Sequence, residues 1–289
     1  MISASDLYAQ LELRFTRWAL TQPAIQAVLV VGSRARSIHP ADEWSDLDVV
    51  VLASATASYL NDATWLEEFG EVMAAISDSF GQRDREWIAL YADGVKLDAA
   101  FLSIDPVTTP TLQMMLDAFP YPAVLQRGVR VLVEKTGSSP ELRLPTIGPP
   151  LPDQAEFTGL INRVCLDAIK AAKFIRRYDL WRAKHTCDGE MKQHLLRMIE
   201  WQATANMDEQ DIWYDGRFLG EWADAESLTT LPATFAAYDA ADLARALVAT
   251  LDLFRRLARE VSIRLGYTYP AEIEQLVDAH LRTVLQGKS

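Results

Sequence analysis

The sequence predicts a small α/β domain on a mixed β-sheet, followed by an all-α helical bundle, and three observations carry that prediction. Residues 1–137 alternate short apolar runs with an amphipathic helix and contain a clear hairpin turn. Residues 138–154 are dense in Pro, Gly and Ser, with Pro140, Pro145, Gly148, Pro149, Pro150 and Pro152, which is the composition of a linker. From residue 155 to 289 the apolar spacing is helical.

In chain order, Ser3 to Leu20 places Leu7, Leu11, Phe15 and Trp18 on one helical face with charges opposite, so it reads as a core helix and not a signal peptide. Ala27–Val31 reads as a strand ending in Gly32-Ser33. The glycine lets backbone approach a ligand, and a helical turn there aims N–H groups and the Ser33 hydroxyl at an anion, a phosphate above all. The run Asp46-Leu47-Asp48-Val49-Val50-Val51-Leu52 reads as a buried strand. Strand alternation turns Asp46 and Asp48 to one side, and two carboxylates on one face want a cation between them. A helix is expected next, with Glu67, Glu68, Glu71 and Asp78 on its solvated face. Trp87–Tyr91, the turn Ala92-Asp93-Gly94 and Val95–Leu102 then form a hairpin. It sets Asp98 inside a strand, where a carboxylate has no packing reason to be. Val129–Val133 is the last strand. In the second domain Phe157, Leu160, Ile161, Val164 and Ala168 form one stripe, and Leu195, Leu196, Met198 and Ile199 another. Asp242–Leu265 is a third long helix closed by Gly266.

Each feature has a bland reading. Asp46-x-Asp48 alone is a solvated strand end after Trp44-Ser45, but joined to Gly32-Ser33 and Asp98 in this order it reads as a two-metal site. Asp98 is a catalytic carboxylate or a structural one paired with Lys96; Lys96 shares its strand face and is equally placed to help hold the triphosphate. Arg34 touches phosphate or caps its turn. Trp181, Trp201 and Trp213 stack on a base or sugar, or pack in the core, the core being favoured for Trp201. Glu200 is a helix-to-helix ion pair or an ammonium ligand, with the ion pair preferred. Lys184 and Lys192 reach a triphosphate or are solvated. His185, Cys187 and His194 have offsets that do not put three metal ligands on one helix face.

Composition narrows the function. The 289 residues, 49% hydrophobic, suffice for two cores. A formal net charge of −12 argues against a nucleic-acid-binding surface and favours cationic partners. Asp42 to Asp98 holds 13 acids against three bases, Arg83, Arg85 and Lys96, a net of −10 around the proposed site. Two cysteines give no zinc or disulfide pattern, and no apolar run approaches membrane-spanning length. A cytoplasmic protein, a monomer or weak dimer without membrane or nucleic-acid partners, is expected.

Gly32-Ser33-Arg34, then Asp46-x-Asp48, then a lone strand Asp98, resembles the DNA polymerase β-like nucleotidyltransferase superfamily. Within it the chain is similar to the aminoglycoside 6-adenylyltransferase family, also called streptomycin adenylyltransferases. The matching stretches are Trp65-Leu66-x-x-Phe69-Gly70, Tyr91-x-Asp93-Gly94-Val95-x-Leu97-Asp98, Leu195-Leu196-Arg197-Met198-Ile199-Glu200-Trp201, and Leu253-Phe254, Glu260-Val261, Arg264-Leu265-Gly266-Tyr267 and Tyr269-Pro270. They span nearly the whole chain, and the helical-domain stretches point to the narrower family.

The resemblance implies an α/β nucleotidyltransferase domain over 1–137, a linker over 138–154 and a helical substrate-binding domain over 155–289. It implies AMP transfer from ATP to the 6-hydroxyl of a streptomycin-type aminoglycoside, giving antibiotic resistance. Two Mg²⁺ ions would be held by Asp46 and Asp48, with Asp98 as general base and additional metal contact. Gly32, Ser33, Arg34 and Lys184 would bind the nucleotide, and Glu86, Trp181, Asp188 and Glu200 the cationic acceptor. The chain departs from the family in carrying His185 and His194 on the helix Leu180–Glu200 in place of acids, and Ala99-Ala100 in place of a more polar pair. Asp188 and Glu190 are candidates to replace those acids. The alternatives are another acceptor (a lincosamide, a metabolite or a protein) or a non-catalytic, antitoxin-like nucleotide-binding module. Retention of Asp98 argues against the latter, since a binding module has no need of a base.

Overall fold

A computed structural model describes residues 3–80, 84–137, 142–145, 151–206 and 212–286. The chain divides into two compact units, Met1–Ile147 and Gly148–Ser289.

The first unit opens with α1 (Ala4–Thr21), capped by the Ser3 hydroxyl, which accepts the Asp6 N–H at 3.1 Å. Tyr8, Leu11, Phe15 and Ala19 form its buried stripe. Six strands follow: β1 (Ile25–Val31), β2 (Leu47–Ala53), β3 (Val72–Phe80), β4 (Asp84–Tyr91), β5 (Lys96–Ser103) and β6 (Arg130–Glu134). Their order in one sheet is β3-β4-β5-β2-β1-β6, and among the described residues only the pairing of β2 with β5 is parallel, so the sheet is mixed.

Both faces of the central strands are covered, which is why β1 and β2 read as near-continuous apolar runs. Val28, Val30, Val49, Val51, Leu97 and Phe101 pack with Leu11 and Phe15 of α1 and with Trp65 and Phe69. A short helix, α2 (Ala57–Leu60), follows β2 in the chain. Ala27, Leu29, Val50, Leu52, Ala100 and Leu102 meet Leu112, Met115 and Leu116 of a second short helix, α3 (Leu112–Asp117), and Leu125 of a third, α4 (Pro122–Leu125).

The acid-bearing helix expected before the hairpin is not there. Glu67 and Glu68 lie on a 3-10 turn, Thr64–Phe69, and Asp78 lies on β3. Gly70, with φ 154° and ψ −179°, takes the chain out of helical geometry, and residues 72–80 pair with β4 along their length. Met73, Ala74 and Ala75 favour helix locally, and the ladder supplied by β4 overrides that preference. The two short helices between β5 and β6 are further additions to the elements that periodicity predicts.

The second unit is helical. The first long helix, α5 (Gln154–Arg176), starts in a capping box in which Asp153 and Glu156 each accept the other's backbone N–H. Phe157, Ile161, Val164 and Ala168 are buried on it. Next come α6 (Leu180–Lys184), a π-helical turn (His185–Glu190) and α7 (Met191–Ala205), in place of the one continuous helix that the spacing predicts. Short helices over Leu219–Trp222 and Ala225–Thr230 lead to α8 (Ala240–Leu265). It is capped by Asp239 and ended by Gly266 in the left-handed region at φ 70°. A final helix, α9 (Ala271–Gln286), packs on α5. The core is Phe157, Leu195, Met198, Trp201, Trp222, Leu247, Phe254 and their neighbours.

Candidate functional site

The site begins at Gly32, which opens a 3-10 turn, Gly32–Arg34, directly after β1. Val31 pairs with Asp48 on β2, and Gly32 adopts φ +66°. A Cβ there would lie 2.4 Å from Asp48 Oδ2, so glycine is required by the dihedral and by space. The parallel register of β2 and β5 places Asp48 beside Asp98. Glu86 on β4 faces Ala100, two residues past Asp98, and is itself opposite Asp78 on β3. Alternation therefore puts Asp78, Glu86, Asp98 and Asp48 on one sheet face.

Asp46 immediately precedes β2 and does not lie in it, a correction to the sequence reading. The β1 ladder stops at Val31 opposite Asp48, and the segment before β2 is held by Arg34, whose Nε donates to the Asp46 carbonyl at 3.0 Å and Nη2 to the Ser45 carbonyl at 2.8 Å. The same guanidinium lies over the Tyr8 ring, 3.7 Å from its centroid. Arg34 thus ties the Gly-Ser turn to the segment entering β2. Sequence reasoning missed Tyr8, whose hydroxyl also accepts the Lys96 N–H at 3.2 Å. A tyrosine one turn before Leu11 on the apolar face of α1 was the available signal.

Lys96 Nζ bridges Asp46 Oδ2 at 2.9 Å and Asp98 Oδ2 at 3.0 Å. The other Asp98 oxygen, Oδ1, is buried with no hydrogen-bond partner. Burial pushes the Asp98 carboxyl above the usual carboxylate range, against the pull of Lys96. Glu86 is pushed up to about 7, first by burial and then by Asp98, Asp78 and Asp48. A face that raises its carboxylates in this way favours a bound proton or cation.

Among the described residues, no three His, Cys, Asp or Glu side chains are gathered as a finished metal-ligand set. The residues nevertheless fit a hard divalent cation. The donors are carboxylate oxygens, Asp98 Oδ1 lacks a partner, and the present counter-charge is an ammonium on a flexible stem.

In the helical unit, Trp201 and Trp213 are core residues, at 6% and 3% exposure, while Trp181 is 77% exposed. Lys184 and Asp188, expected to serve nucleotide and acceptor separately, are bonded to each other at 2.5 Å. Lys184 also donates to the Ala236 carbonyl, and Asp188 lies 3.7 Å from Lys192. Among the described residues Glu200 has its ionic partner on its own helix, Arg197 at 3.8 Å, and not on a neighbouring helix. Burial raises its carboxyl. His194 Nε2 lies 3.2 Å from Asp167, and Lys170 joins Asp167 at 3.0 Å to Glu190 at 2.5 Å. A cavity of about 220 Å³ beside the π-turn is lined by Trp181, His185, Glu190, Lys170 and Phe174 among others.

A family model described as streptomycin adenylyltransferase matches residues 9–284. An aminoglycoside 6-adenylyltransferase of Campylobacter jejuni is 22% identical over 280 residues, covering 92% of this chain and 91% of that protein. One from Bacillus subtilis (strain 168) is 24% identical over 269 residues, covering 89% and 90%. A crystal structure of an aminoglycoside 6-adenyltransferase from Bacillus subtilis aligns over 97% of this chain and 98% of that one, at 19% identity and a TM-score of 0.43. With the family match running almost from end to end over a Gly-Ser turn and three strand-end carboxylates, the chain belongs to the streptomycin adenylyltransferase family and is a nucleotidyltransferase.

Proposed function

We propose that the protein transfers AMP from ATP to a hydroxyl of an aminoglycoside, the 6-hydroxyl of a streptomycin-type compound, in a Mg²⁺-dependent reaction that confers resistance. Residues 1–137 are the catalytic domain and 155–289 the acceptor-recognition domain, joined by 138–154. The observation that carries the reading is the Asp98 carboxyl. It is mostly buried, has one oxygen without a partner and stands beside Asp48 and the Gly32 turn.

Gly32 N–H and the Ser33 hydroxyl hold the outer phosphates, with Arg34 keeping that turn in place. Asp46 and Asp48, with Asp98 at the edge, would hold Mg²⁺, two ions in this reading, which would supply charge neutralisation on the triphosphate. Asp98 takes the proton of the acceptor hydroxyl, the hydroxyl oxygen bonds to the α-phosphorus, and the bond to pyrophosphate breaks. In this reading Glu86 on the sheet is a carboxylate for a cationic acceptor; in the helical unit Trp181 is an exposed ring for one, while Asp188 and Glu200 would have to exchange their lysine and arginine partners for it.

The test is pyrophosphate release from Mg-ATP with and without streptomycin, in the wild type and in Asp98→Asn. Release that needs both streptomycin and Asp98 supports the proposal, and an Asp98→Asn variant with near-normal turnover refutes it. A second reading, another acceptor on the same machinery, is favoured by His185 and His194 standing where the family resemblance places acids. It would give tight Mg-ATP binding with no streptomycin-dependent release.

A further inference from the structure

Lys96 occupies a peculiar place for a residue among proposed metal ligands. It is the first residue of β5, two before Asp98, so both side chains leave the same face. Its backbone N–H is pinned to the Tyr8 hydroxyl, and Leu90 stands opposite on β4. The strand start is therefore fixed while the four-carbon stem above it is flexible. The ammonium lies within hydrogen-bond distance of Asp46 and Asp98 at once. It satisfies one oxygen of Asp98 and leaves the other buried without a partner. A divalent cation seeks the same carboxylate oxygens, and two positive charges sharing them at such range repel strongly in a partly buried site.

We infer that Lys96 is a resident counter-ion: its ammonium holds Asp46 and Asp98 together and competes with a divalent cation for them, so that cation binding releases Lys96 from the carboxylates. This rests on the divalent-cation reading of Asp46, Asp48 and Asp98. Once released, the ammonium stays on the face that receives the nucleotide, where the triphosphate is its new anionic partner.

The experiment is calorimetric titration of the full chain with Mn²⁺ alone, without nucleotide, in the wild type, Lys96→Met and Lys96→Arg. Thermal melts with and without Mn²⁺ accompany it. Lys96→Met is expected to bind Mn²⁺ about tenfold or more tightly than wild type, because the competing charge is gone. It should also melt lower than wild type without Mn²⁺ and recover more on adding it. Lys96→Arg, which keeps the charge, should stay close to wild type in affinity. If Lys96→Met loses its circular-dichroism signature of folding, Lys96→Gln replaces it. Equal or weaker Mn²⁺ binding by the uncharged variant overturns the counter-ion role and leaves the metal reading standing. Absence of Mn²⁺ binding in the wild type and the uncharged variant alike overturns both.

Discussion

Replacing Gly32 by Ala separates what the turn does for stability from what it does for the site. The added methyl meets Asp48 Oδ2 at 2.4 Å, and real contacts start near 3.0 Å, so the carboxylate must retreat by at least the difference, 0.6 Å. A displacement approaching 1 Å at a positioning group lowers turnover by about 10²-fold. The left-handed φ of +66° adds about 1–2 kcal/mol of backbone strain. Gly94→Ala is the internal control: Gly94 has φ +85° in the β4–β5 turn, and a methyl added there has no neighbour within 4 Å. It carries the backbone strain without the clash. Gly94→Ala should lose about 1–2 kcal/mol in urea unfolding and Gly32→Ala at least as much, whereas Gly32→Ala alone should lose about 10²-fold in streptomycin-dependent pyrophosphate release. Equal activities of the two variants would refute the claim that Gly32 serves to seat Asp48.

Three further outcomes follow from named contacts. Arg34→Met removes two charge-assisted hydrogen bonds to the Ser45 and Asp46 carbonyls and should cost about 1.5–3 kcal/mol in urea unfolding; a change below about 0.5 kcal/mol contradicts the tethering role. Glu86 is raised from its ordinary 4.5 to about 7, so folding favours its protonated form. Its contribution is complete below pH 4.5 and is lost as the pH rises through about 7. Glu86→Gln should therefore be more stable than wild type at pH 8, by about 1 kcal/mol after allowing for its partial exposure, with the advantage gone near pH 4. A pH-independent difference between the two proteins rules this out. Trp181→Ala, at 77% exposure, should leave stability within about 0.5 kcal/mol, while an aromatic contact to a cationic acceptor worth about 1 kcal/mol would raise its KM by roughly fivefold. An unchanged KM removes Trp181 from the acceptor site.

Features that depend on a few neighbouring residues were legible in the sequence. Asp93-Gly94 marks its own turn because the geometry needs a positive φ, and Gly94 has φ +85°. Gly266 ends α8 for the same reason. The stripe from Phe157 to Ala168 identifies α5 because one face of a helix must be buried. The three aspartates stood out because acids beside runs of Val and Leu are costly without a role. β3 was not legible: residues 72–80 have no strong alternation, and they become a strand only because β4 offers an edge to pair with. The π-turn at His185–Glu190 was likewise invisible, since it adds no change to the apolar spacing on either side.

The sequence by itself determined which residue types were available to the site and the local elements that carry them, because turns, caps and periodicity act over a few residues. Only the tertiary structure decided how those residues meet. The parallel register of β2 with β5 brings Asp48 beside Asp98. Arg34 reaches across to the Ser45 and Asp46 carbonyls and ties the Gly-Ser turn to the entry of β2. Lys96 spans carboxylates that are far apart in the chain. Those relations come from strand pairing and burial between distant segments, which residue spacing along the chain does not encode.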